Sequence, residues 1–210
     1  MKQYLFALLL SVVSASTWAD ALAVKGSLSS WWAKGEAADF SASKEQQWSA
    51  TAAFEHPIPL IPNVKLRYLD YAEGGSQGMS LTTVDTIAYY EVLDNFAIDL
   101  DLGLAATRFQ NGKLGGGRSF DGWIPQLYGA LRVPLPLTGF GVYGEATATS
   151  FDDSEAYDIE AGVDYLIDMP VLDISLRLAY RQIENDFDDF DKFSGKLEFS
   201  GWSLGVLIDL

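Results

Sequence analysis

The chain has 210 residues, with 14 Lys plus Arg against 29 Asp plus Glu, one His and no Cys, and 49 % of it is hydrophobic. That length fits one domain, and this apolar content is too high for a disordered chain. A formal charge of −15 excludes the basic stripe that phosphate recognition needs, so no nucleic acid partner is expected; without Cys, and with a single His, thiolate and multi-His metal sites are excluded and no cofactor is expected.

The chain opens with Lys2, a mostly apolar run from Tyr4 to Val13, and small residues ending in Thr17-Trp18-Ala19. A charged start, a short apolar run and a small-residue end mark an export signal over residues 1–19. The run is shorter than the roughly 20 apolar residues of a spanning helix. The mature domain is then 20–210.

From residue 20 onward the period is two. Strands are predicted at about 21–32, 46–55, 64–72, 80–93, 96–109, 120–133, 139–151, 156–166, 172–183 and 196–210. In the fourth, Val84, Thr86, Ala88, Tyr90 and Val92 form the apolar face, because the other set holds Asp85 and Glu91. In the fifth, Phe96, Ile98, Leu100, Leu102 and Leu104 alternate with small or acidic residues. The eighth alternates Tyr157, Ile159, Ala161, Val163 and Tyr165 with Asp158, Glu160, Gly162 and Asp164. The ninth places Arg177 and Arg181 opposite Leu176, Leu178 and Tyr180. Since successive side chains of a strand point to opposite faces, each segment has one apolar and one polar side.

The connectors alternate as well. Short or prolyl ones (56–63, 94–95, 134–138, 167–171) exchange with polar ones (33–45, 73–79, 110–119, 152–155, 184–195). Proline ends strands because it cannot donate to the ladder. Ten strands with this bookkeeping make an all-β, antiparallel, up-and-down barrel, with eight strands as the alternative.

Periodicity alone leaves open whether the apolar face turns to lipid or inward around a ligand, as in a soluble periplasmic barrel. Three features favour lipid. The polar face is densely charged, with Lys25, Arg67, Arg132, Arg177 and Arg181 beside Asp85, Glu91, Asp99, Asp101, Glu145, Asp158, Glu160 and Asp164. The apolar faces carry almost no charge, as expected where a charge facing lipid costs about 2–4 kcal/mol. Aromatics sit near strand ends as two girdles: Trp31, Trp32, Trp48, Phe54, Tyr68, Tyr90, Phe96, Trp123, Phe140, Tyr157, Tyr165, Tyr180 and Trp202. Finally, Ser203, Gly205, Ile208 and Leu210 occupy the places of the C-terminal signal read by the outer-membrane barrel assembly machinery. That signal prefers a terminal aromatic, and Leu210 departs from it.

On these residues the sequence resembles the small outer-membrane β-barrel proteins of Gram-negative bacteria, similar in size to the OmpX and OmpW families and the OmpA barrel domain. The segment from Ala53 to Val64, with Tyr89-Tyr90-Glu91 and Asp99 to Gly103, resembles a further outer-membrane barrel family of about this length. The resemblance implies location and fold, and no activity.

Chemistry is sparse. Barrel proteases and lipid A deacylases use a His near the outer face, whereas His56 lies in a prolyl turn assigned to the periplasmic side. Across a barrel roughly 25 Å tall it cannot serve as a base there. Asp99 and Asp101 share one strand face and more simply accept bonds from interior arginines. The acidic run 184–191 offers oxygens to calcium but lacks the Gly and closing Glu of an EF-hand. Gly115-Gly116-Gly117-Arg118 has no phosphate-cradle spacing. The interior charges permit a cross-paired plug or a narrow cation-preferring pore or solute path. A barrel of about eight strands is filled by side chains and wide channels need about sixteen, so the filled lumen is the main expectation. A non-enzymatic structural or surface-interaction role, as a monomer among lipopolysaccharide, follows.

Overall fold

The computed structural model describes residues 22–37, 40–41, 45–58, 60–72, 80–114, 118–151, 154–191 and 193–210. The export signal, the 73–79 loop and Gly115-Gly116-Gly117 lie outside them.

The strands are β1 (Ala23–Ala37), β2 (Phe40–Ser41), β3 (Glu45–Glu55), β4 (Asn63–Ala72), β5 (Ser80–Asn95), β6 (Ile98–Leu114), β7 (Arg118–Pro134), β8 (Phe140–Phe151), β9 (Ser154–Ile167), β10 (Asp173–Phe190) and β11 (Phe193–Asp209). β2 is a two-residue pairing on the end of β1, and the other ten are the staves. Each pairs antiparallel with the next, and β11 pairs with β1, so the sheet closes with no edge. Leu210 and Val24 exchange backbone N–H···O bonds of 3.1 and 3.2 Å at that seam. The ten-stranded, all-antiparallel barrel expected from the alternation is the observed fold.

The strands near the prolyl turns fall within a few residues of their predicted limits. At the other end they run further: β10 and β11 consume the polar stretch 184–195, leaving Asp189 and Asp191 with positive φ at the turn. The expected loop there is a hairpin, as is 110–119 between β6 and β7. Two pairings are short, β3–β4 with seven register pairs and β7–β8 with eight. β7 and β8 are in register only from Leu127↔Ala148 to Pro134↔Gly141. Pro125, which has no N–H to give a ladder, lies two residues beyond the last pair.

Period two sorts the side chains as expected. On β5, Leu81, Thr83, Asp85, Ile87 and Tyr89 are buried while Thr86, Ala88, Tyr90 and Val92 are exposed. Large apolar residues cover the outside: Leu28, Leu66, Leu104, Leu127, Ile159, Leu178 and Leu204 are all exposed. Between the aromatic levels, no outward position among the described residues carries a charge. Outward pairs Trp48–Tyr68 (5.0 Å between rings) and Tyr180–Trp202 (5.5 Å) mark the hairpin-side girdle, and Phe140–Tyr165 (4.9 Å) the other. Trp31 departs from the expected girdle: it is 1 % exposed, points inward and packs on Tyr71 and Phe199.

Candidate functional site

The lumen has three storeys. Toward the hairpins it is apolar rather than charged, the part that sequence periodicity missed. Trp31, Leu69, Tyr71, Leu81, Phe109, Phe120, Ile124, Ile183, Phe187, Phe193, Leu197 and Phe199 form one buried cluster. Phe187 stacks on Phe190 and Phe120 on Phe193, with ring centroids 4.7 Å apart in each pair. The β10–β11 tip thereby leans over the mouth onto β7, where the Asp121 backbone N–H donates to the Asp191 carboxylate at 2.9 Å.

Below this cap lies a layer of buried ion pairs. Arg67 Nε donates to Asp85 at 2.5 Å, and its Nη groups reach Glu145 at 3.3 Å and Asp158 at 3.0 Å. Asp158 also accepts two bonds from Arg181, at 2.5 and 2.8 Å. Arg67, Asp85, Asp158 and Arg181 are each under 9 % exposed. Charges this deep persist only when paired, since removing one partner of a buried pair costs about 3–5 kcal/mol.

The third part is a cavity of about 270 Å³ toward the prolyl turns. β1 and β3 present a hydroxyl wall, where Ser27–Thr51 and Ser29–Ser49 are joined at 2.6 and 2.7 Å. Charged groups line the rest. Lys65 Nζ lies 2.5 Å from Glu145, Lys25 Nζ 2.7 Å from Glu55 and 3.8 Å from Asp209. Arg132 grips Asp164 with two nitrogens, at 2.7 and 3.1 Å, and reaches Asp99 at 3.7 Å. Glu160 accepts from the Tyr143 and Ser203 hydroxyls at 2.9 and 3.4 Å.

Of the lumen residues expected from sequence, Lys25, Arg67, Asp85, Asp99, Arg132, Glu145, Asp158, Asp164 and Arg181 enter ion pairs. Asp101 lines the cavity and has no ion-pair partner within 4.0 Å among the described residues. Glu91 stands at the rim, opposite Asp101 and beside a bulge between Glu91 and Leu93; it is an exposed residue whose carboxylate accepts from Asn63 at 3.3 Å. Arg177, expected to pair, has no carboxylate within 4.0 Å among the described residues, because Arg132 has taken Asp164, its cross-strand neighbour. Glu55, Lys65 and Asp209 were missed. Lys65 sits two residues from Arg67 and shares its face, a signal the alternation carried; Glu55 and Asp209 stand at strand ends, where facing is hardest to assign.

Ser203 and Gly205 face the lumen, and Ile208 and Leu210 the outside. His56 serves its turn: its N–H donates to Asn63 Oδ1 at 3.0 Å and its Nδ1 accepts from Ile58 at 3.2 Å. In the 184–191 run, Asp188 Oδ1 accepts from the Ser194 hydroxyl at 3.2 Å. Among the described residues no three His, Asp or Glu side chains converge as a metal site.

No family model and no curated protein matches the chain. Solved structures similar to it are small outer-membrane β-barrels. Neisserial surface protein A shares 15 % identity over 89 % of this chain and 95 % of its own, with a TM-score of 0.41. The outer-membrane protease OmpT of Escherichia coli shares 8 % over 90 % and 96 %, TM-score 0.42. The β domain of the Bordetella autotransporter BrkA shares 12 % over 90 % and 99 %, TM-score 0.41.

Proposed function

We propose that this chain is an integral outer-membrane barrel of non-enzymatic role, closed to through-passage, whose long hairpins face outside and whose prolyl turns and termini face the periplasm. Embedding in lipid is supported by the uncharged outward belt between two aromatic levels, the arrangement that hydrocarbon demands of a strand. Closure is carried by one observation, the aromatic cluster that spans the hairpin end above the Arg67–Asp158–Arg181 layer. Aromatic packing of this kind disfavours a wetted path, and the ion pairs beneath it tie the staves together.

The proposed partners are the barrel assembly machinery, engaged through Ser203, Gly205, Ile208 and Leu210, and lipopolysaccharide, met by the exposed acids of the hairpins through divalent cations. The barrel works as a monomer, its lumen needing no second chain. A surface-interaction role follows from what is left to act: rigid hairpins held in place from within.

Residues 20–210, refolded in detergent and shown to be heat-modifiable, are expected to give no steps in a planar bilayer. The double variant F120A/F187A, which removes two rings of the cap, is expected to open cation-selective steps. Steady currents from the unaltered protein would overturn closure and establish the narrow cation-preferring channel instead.

A further inference from the structure

We infer that the cavity toward the prolyl turns is a binding site for a small carboxylate-bearing solute, with the Arg177 guanidinium as its anchor.

The other interior arginines are spoken for: Arg67, Arg132 and Arg181 each have a carboxylate oxygen within 2.7 Å. Among the described residues Arg177 has none within 4.0 Å and donates no hydrogen bond. Its Nε is buried without an acceptor, and its guanidinium rests on the Tyr143 ring with Cζ 4.6 Å from the centroid. A buried donor without a partner is expensive, at about 1–3 kcal/mol and more for a charged group. Such a group points to a missing acceptor.

The carboxylates nearby do not supply it. Asp164 lies across β9–β10 from Arg177 but is held bidentately by Arg132. Glu145 is taken by Lys65 and Arg67, and Glu160 by two hydroxyls. On the other flank the cross-strand neighbour of Arg177 is Gly205, which brings no side-chain acceptor and packs closely on Ser29. The room is the cavity itself, which Arg177 lines together with Tyr143, Ser175 and Leu207.

The chemistry of the site selects its ligand. A guanidinium fork matches a planar carboxylate with two parallel N–H···O bonds. Glu145 and Glu160 flank the cavity and disfavour a doubly charged phosphate relative to a monoanion. A cavity of about 270 Å³ suits a small metabolite rather than a lipid chain. The hydroxyl wall of Ser27, Ser29, Ser49 and Thr51 offers the rest of such a molecule neutral hydrogen-bond partners.

The test uses the full barrel refolded in detergent with ¹⁵Nε-labelled arginine, assigned by Arg177→Lys and titrated with acetate at constant ionic strength. The Arg177 Nε–Hε resonance is expected to move and saturate with a Kd on the order of 1 mM, while those of Arg67 and Arg181 stay still. Inorganic phosphate is expected to bind at least tenfold more weakly. In the Arg177→Lys barrel, if it refolds, acetate should leave the remaining arginine resonances unmoved. Equal shifts at all arginines, or no shift, would overturn the site. So would a resonance that moves only after Glu160→Gln, because Arg177 would then be satisfied from within. The outcome is independent of whether the hairpin end conducts.

Discussion

Asp158 accepts from two guanidiniums, and that arrangement sets unequal values on arginines that look alike in sequence. In Arg181→Met, Asp158 keeps only the contact to Arg67, so the variant should lose about 3–5 kcal/mol, the cost of stranding part of a buried pair. Arg177→Met strands no carboxylate and should cost less than about 1.5 kcal/mol. Urea midpoints in detergent would measure both, and equal losses would contradict the pairing described. The inward position of both arginines was legible from alternation with Leu176 and Leu178. Their partners were not. Facing is a property of one strand, whereas Arg132 reaches Asp164 from two staves away and so decides the fate of Arg177.

The hairpin ends taught the opposite lesson. Polar stretches such as 184–195 read as loops because Asp and Asn dominate them, yet Phe187, Phe190 and Phe193 outweigh that signal by burying rings inside the mouth. Phe109 and Phe120 flanking the 110–119 stretch, and Phe187, Phe190 and Phe193 within 184–195, were the available clue. Phe187→Ala should destabilise the cap by about 3–5 kcal/mol and expose the β10–β11 tip to protease while the staves stay protected. Outside the girdle, Glu184 is held below its usual carboxyl range, first by the hydrogen bond from Lys196 and against a little burial. A depressed folded value means the contact is present above the unfolded pKa of about 4.3 and is lost as pH falls through the folded one. Proteolysis at the tip should therefore quicken below roughly pH 4. A rate flat in pH, or one that rises only above neutrality, would refute this.

At the scale of the molecule, ten staves, prolyl turns and a charge-free belt were all visible in a period of two, because lipid imposes one rule on every strand. What that rule could not reveal was the layering of the interior, where cap, ion pairs and cavity follow one another along the axis. The belt predicts that the barrel stays monodisperse only in detergent. A folded, monomeric chain in plain buffer would sink the membrane reading. The truncated β7–β8 register has its own consequence. β3–β4 has seven register pairs because β4 is itself only ten residues long, and the other seams keep ten or more; this seam has the eight from Leu127 to Pro134 although β7 runs for 17 residues. Above it, residues 120–126 have no ladder partner on the β8 side. Amide protons there should be among the first of the wall to trade for deuterium, so the cylinder has a built-in line of fracture. Slow unfolding would start as a tear beside Pro125 and spread downward, leaving the β1–β11 closure among the last parts to part.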